Sequence, residues 1–231
     1  MNRRAVPIER AEARLAWLLV APAVAIILLV SLVPIAVTVW EALHAHDLRL
    51  PWLGRPFIGV GNFMEAANDP RFGAALLHTV TFALISVPLE LMLGLALAVM
   101  MHAAVRGRAL IRVSALLPWA IPTVVAALLW RFMFEAQAGI LAASFRTLGV
   151  VNPAFDWFVH PLAAWLPIIA ADVWKTTPFV AILLLAGIQT IDPTLGEAAR
   201  IDGAGPVRRF LTITLPLLTP ALVIAAAFRM L

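Results

Sequence analysis

Three ionisable residues stand inside long apolar runs of this chain: Glu90, Asp172 and Lys175. A charged group at mid-bilayer costs roughly 2.5–3.5 kcal/mol on insertion scales, and it usually faces a bundle interior or a wet cavity. Asp172 and Lys175 are three positions apart, which places them on one helix face, where they can neutralise each other. That pair reads either as a packing device or as part of a polar path. With Glu90 it also has the residue types of an ion or proton relay. Glu90 itself, in Pro88-Leu89-Glu90-Leu91, reads as a helix–helix hydrogen-bonding group, and Gly94, Ala96 and Ala98 allow close packing beside it. Pro178 lies just past Lys175 and frees backbone carbonyls that a cavity can satisfy.

Other chemistries find no footing. The chain has no cysteine, so disulfides and thiol chemistry are excluded. His44, His46, His78, His102 and His160 are too dispersed in sequence to suggest a metal site. There is no phosphate-cradling G-x-x-x-x-G-K-[ST], no H-E-x-x-H and no G-x-S-x-G. No catalytic residue, cofactor or metal is expected, and ATP hydrolysis is expected elsewhere.

The elements that must position these charges are membrane helices. The sequence is 63% hydrophobic and 13% charged, with a mean hydropathy of +0.96 and a pI near 11.2. Soluble domains average about 45–50% apolar and 25% charged residues. The basic residues are scattered singles, so they read as topology-setting charge rather than a nucleic-acid surface. Runs of about 20 apolar residues cross a bilayer. They predict an all-α polytopic membrane protein with spans over roughly 15–40, 73–101, 109–134 and 162–188.

The first run is too long for a cleaved signal core, so it is expected to remain as a span behind a cytoplasmic segment, residues 1–14. Residues 41–72 read as polar and irregular. In the 135–161 loop, Gly139 to Gly149 suits a short amphipathic surface helix, ended by Asn152-Pro153, with Trp157 and Phe158 at the interface. A fifth run, 217–231, is too short to cross, so the bundle is expected to be C-terminally truncated. With the N-terminus inside, ten arginines fall on the cytoplasmic side against five outside; Arg106, Arg108 and Arg112 form one basic turn of the inner set. This bias favours a cytoplasmic N-terminus.

A polar interruption, 189–216, lies between the last two apolar runs. Asp192 suits an N-cap with Pro193 at the first helical position; Thr194 and Glu197 offer an alternative capping box. Gly203 and Gly205 end that helix. Pro206 starts a second one, which Pro216 is expected to close. Ala198, Ala199, Gly203 and Ala204 form a small-residue surface framed by Glu197, Arg200 and Asp202.

Glu197-Ala198-Ala199, Asp202-Gly203-Ala204, Phe210, Ile213 and Leu215-Pro216 together resemble the EAA loop of permease subunits from binding-protein-dependent ABC importers. Asp172-Val173-Trp174-Lys175-Thr176-Thr177-Pro178-Phe179 is similar to the stretch that precedes this loop in carbohydrate permeases. The weaker Phe57 to Phe63 segment resembles one found before the second span of sugar-type permeases. The resemblance, closest to the maltose/trehalose/glycerol-3-phosphate group, implies an ABC importer permease bundle in a bacterial inner membrane. It implies ATPase coupling through Glu197, Ala198, Ala199, Asp202, Gly203 and Ala204. It also implies a substrate pathway that includes Asp172, Lys175, Thr176 and Phe179. The implied partners are a second homologous permease, two cytoplasmic ATP-binding subunits and an extracytoplasmic solute-binding protein. An ion-coupled secondary transporter, a non-sugar permease and a membrane-embedded enzyme are the competing readings.

Overall fold

The computed structural model describes residues 7–47, 49–50, 52, 54–103 and 108–230. Arg3, Arg4, Arg106, Gly107 and Leu231, and the side chains of Arg10 and Arg108, lie outside the described residues. The chain forms two compact units, Met1–Leu77 and His78–Leu231.

In the first unit, α1 (Pro7–Ala42) runs for 36 residues with Pro22 and Pro34 inside it. Between Leu15 and Val39 its leucines, isoleucines and valines are exposed, apart from the half-buried Val24, as suits a helix that faces lipid. The segment after it is less irregular than its composition suggests, because α1 ends on orphaned carbonyls. Asn62 donates from Nδ2 to the carbonyls of Ala42 and His44, at 2.9 and 3.0 Å. That asparagine opens α2 (Gly61–Asn68). Glu41 meanwhile accepts from Arg55 at 2.6 Å and lies 3.0 Å from His46 Nδ1. The glycine- and proline-rich stretch is thus folded back on the end of α1, and α3 (Pro70–Ala103) begins just beyond it.

The second unit starts within α3 and contains α4 (Arg108–Ala120), α5 (Thr123–Met133), α6 (Ile140–Thr147), α7 (Trp165–Gln189), α8 (Pro193–Ile201), α9 (Pro206–Arg209) and α10 (Leu215–Met230). Helix α7 is its hub, packing on α4, α5 and α10. Val180, Leu184 and Ile188 on α7, Ala98 and Met101 on α3, and Leu218 and Ala225 on α10 form the main core. Close approach depends on glycine. A methyl group built at Gly94 would lie 2.6 Å from a Val180 methyl, and one at Gly187 would lie 2.8 Å from Ala221 Cβ. Ala98 shares this buried face of α3, whereas Ala96 is exposed.

The apolar run expected as the third span, over roughly 109–134, is broken into two helices. Helices Leu110–Ala120 and Thr123–Met133 meet at an angle of 89°. Pro122 supplies no N–H and disfavours helical geometry at Ile121 before it. In the loop that follows, a short helix with an exposed face forms over Ile140–Thr147, within the 139–149 stretch expected to be helical, and its inner face is packed. Helix α6 buries Ala142 against Phe134 and Trp157. The Trp157 ring meets Phe134, Phe145 and Phe155 with centroids 5.0 to 5.3 Å apart. Trp157 therefore belongs to an aromatic core, while Phe158 is 41% exposed.

Gly94→Val should force α3 and α7 apart at a cost of about 1–3 kcal/mol, typical of overpacking. Thermal unfolding in detergent should show a clear fall in midpoint. Gly73→Ala, with nothing within 4 Å of the added methyl, should show no such fall.

Candidate functional site

The intramembrane charges meet around a residue that the sequence reading did not single out, Arg229 on α10. Glu90 on α3 is fully buried, at 0% exposure. Arg229 grips it bidentately through in-plane donors of the guanidinium: Nη2 donates to Oε1 at 2.7 Å and Nε donates to Oε2. The same Nη2 donates to Asp172 Oδ2 on α7 at 2.8 Å. Thr176 Oγ1 lies 2.6 Å from Glu90 Oε1 and 2.6 Å from the Asp172 carbonyl oxygen, and its one proton serves either. A planar, permanently charged fork is the group that can satisfy two carboxylates at once.

The Asp172–Lys175 pair expected from spacing is not made. Lys175 Nζ instead donates to the Ile121 carbonyl at 2.6 Å, with the Trp119 carbonyl 3.5 Å away. These oxygens lie at the end of α4, where a helix leaves carbonyls without intrahelical partners and concentrates negative dipole charge. Spacing put both residues on one face, but each found a better partner on a different helix. A signal for Arg229 did exist in the sequence. Glu90, Asp172 and Lys175 sum to one uncompensated negative charge in a low dielectric, and Arg229 is a cation in the last apolar run that restores neutrality.

Asp172 and Lys175 line a cavity of about 270 Å³ between α5 and α7, together with Trp130, Arg131, Phe158 and Ile168. Trp130 packs against Trp174 with centroids 5.9 Å apart. Thr176 and Phe179 do not line that cavity. Thr176 faces Glu90, and Phe179 sits between Trp119 and Phe228, with centroid distances of 6.3 and 6.1 Å.

The polar stretch forms a helical hairpin. Asp192 takes the cap, accepting from the Thr194 N–H at 2.9 Å, and this backbone bond holds its carboxyl below the usual range. At the other end Gly203 has φ +78°. Ala204 N–H bonds to the Ala199 carbonyl at 2.8 Å and Gly203 N–H to that of Arg200 at 3.1 Å, which is the Schellman pattern that a left-handed glycine permits. Gly205 is the N-cap of α9 rather than a terminator of α8. Arg209 ties the arms together by donating to the Gly196 carbonyl at 3.4 Å.

Pro216 does not close the second helix. A single π-turn, Phe210–Thr214, joins α9 to α10, with the Leu215 N–H bonded to the Phe210 carbonyl. The widened turn leaves room for the proline ring, which would otherwise press on the preceding turn. Glu197 faces a cavity of about 390 Å³ behind the hairpin, lined also by His102, Arg200 and Arg209. Ala198, Asp202 and Gly203 are exposed, Ala199 and Ala204 half-buried. Ile201 projects with 87% of its surface exposed.

Arg229→Leu leaves Glu90 and Asp172 without their cation. Breaking a buried pair on one side costs roughly 3–5 kcal/mol. The variant should therefore unfold at markedly lower temperature in detergent, and Glu90→Gln combined with Arg229→Met should recover part of the loss. A non-additive double-mutant cycle is the expected signature.

Residues 90–231 match the family described as "Binding-protein-dependent transport system inner membrane component". The trehalose/maltose transport system permease protein of Thermococcus litoralis is 39% identical over 218 residues, covering 94% of this chain and 72% of that protein. The trehalose transport system permease protein of Mycobacterium tuberculosis is 37% identical, covering 95% and 69%. The fold is shared with a chain of a bacterial ABC transporter involved in the import of alginate, at a TM-score of 0.76 and 23% identity over 95% of this chain and 74% of that one. By fold and by sequence, this chain belongs to the inner-membrane permease components of binding-protein-dependent transport systems, as a transport subunit and not an enzyme.

Proposed function

We propose that this chain forms half of the translocation pathway of an ATP-driven importer for sugars or sugar phosphates. It would pair with a second homologous permease, rest on two cytoplasmic ATP-binding subunits, and receive solute from an extracytoplasmic binding protein. It would sit in a bacterial inner membrane with its N-terminus in the cytoplasm. The sugar class is supported by relatives named for trehalose, maltose and sn-glycerol-3-phosphate transport.

The observation that carries the proposal is the hairpin. An ATPase must grip something rigid, exposed and mechanically joined to the membrane helices. Helix α8 is capped at both ends, its Leu195 and Ile201 are 45% and 87% exposed, and the second arm continues through the π-turn into α10. A push on α8 passes to the second arm through the 202–205 turn and the Arg209–Gly196 bond, and from that arm to Arg229, near the far end of α10, through continuous helix. Through Arg229 it reaches Glu90 and Asp172 on α3 and α7. In alternating access, closure of the ATPases would draw the paired hairpins together, and the helices would reopen outward around a midplane site. On this reading Glu197, Ala198, Ala199, Asp202, Gly203 and Ala204 carry the coupling, and Asp172, Lys175, Thr176 and Phe179 shape the pathway from α7. A proton relay is a poorer account of the same charges, because both carboxylates are committed to one guanidinium.

Cysteines at Ala198 or Ala204 should cross-link to the ATPase in an assembled transporter. Glu197→Lys and Gly203→Pro should each abolish uptake of labelled disaccharide into proteoliposomes while membrane insertion persists. Proline fixes φ near −65° and cannot take the left-handed conformation of Gly203. Normal uptake by both variants, or reaction of those cysteines only with reagents confined to the outer face, would refute the proposal.

A further inference from the structure

The angle between α4 and α5 needs an explanation that the proline does not supply. Pro122 permits a break, but a break of 89° also leaves the last carbonyls of α4 without intrahelical partners. Those carbonyls are strong acceptors at the negative end of a helix dipole. Lys175 reaches them from α7, 54 residues away in sequence, at 2.6 Å from the Ile121 oxygen. The same side chain lines the cavity that α5 and α7 enclose. The carboxylate three residues before it bonds Arg229 instead, and among the described residues Lys175 forms no ion pair.

We infer that Lys175 is a positioning residue, a clasp that caps the end of α4 and thereby sets the angle at which α5 walls the cavity. This rests on the reading that the α5–α7 cavity belongs to the solute path. The clasp explains why a cation stands in that wall: it supplies the N–H groups that the end of α4 lacks. It also explains why Trp130 of α5 can pack on Trp174 of α7, since that contact needs α5 held close. The ammonium acts on the solute through the placement of α5, not as a ligand. The expected consequence of its loss is a wall that wanders, with weaker capture of solute and little change in the conformational cycle itself.

The test uses the complete reconstituted transporter with spin labels at cysteines replacing Ala127 of α5 and Ile168 of α7, both of which line the cavity. Lys175→Met should broaden or shift the α5–α7 distance distribution, and Lys175→Arg, which keeps a charged donor, should preserve it. In the unlabelled transporter, Lys175→Met should raise the KM for trehalose uptake by about tenfold, the worth of a hydrogen bond to a charged group, with kcat within about twofold. An unchanged distance in Lys175→Met overturns the clasp, and loss of uptake with an unchanged distance would make Lys175 a direct solute ligand instead. If Lys175→Met fails to assemble, the same distance read in Lys175→Gln decides between these outcomes. A distance that responds as expected in a transporter carrying no sugar would refute the proposed function and leave the clasp standing.

Discussion

A single guanidinium held between two carboxylates decides how the core of this protein is put together. Removing three charged groups from water is costly, and their attraction offsets that cost only when the geometry is good and the remaining lone pairs are bonded. Arg229 meets those demands in one register of α10: one guanidinium nitrogen serves both Glu90 and Asp172, and Thr176 adds a hydroxyl. Rotate α10 by one residue, about 100°, and both carboxylates lose their partner in a medium that cannot replace it. The network thus works as an alignment constraint on α3, α7 and α10, which the glycine contacts at Gly94 and Gly187 then allow to pack at short range.

The same scarcity of water governs the backbone. Within the hydrocarbon every freed N–H and C=O must find a partner in the protein. The chain breaks its third apolar run at Pro122 and satisfies the exposed end of α4 with a lysine from α7. It passes Pro216 with a π-turn instead of a kink, so the hairpin arm and α10 stay mechanically continuous. At the end of α1, Asn62 performs the equivalent service with an amide. The ends of α4 and α1 are each matched by a donor from elsewhere in the sequence, and the π-turn by its own backbone, which is what lets irregular backbone exist at these places.

Two polar regions at opposite ends of α10 therefore belong to one mechanical unit. The hairpin is stiff because both ends of α8 are capped, and the intramembrane network is stiff because its charges cannot be left unpaired. On the proposed reading, this connection would carry the work of ATPases outside the membrane to the helices inside it.

The membrane class, the apolar runs and the hairpin with its Asp192 cap and Gly203 turn were legible in the residues alone, because these depend on composition and on neighbours within a few residues. The sequence marked Glu90, Asp172 and Lys175 as residues that must have partners. It did not choose those partners. Spacing favoured Asp172 with Lys175, but the preferred acceptor of Lys175 lies 54 positions away and the cation for Glu90 lies 139 positions away. The bend at Pro122 and the burial of Trp157 were likewise settled by tertiary packing. A proline permits a straight or a broken span, and a tryptophan suits an interface or a core; which one is realised depends on the donors and rings that folding brings alongside.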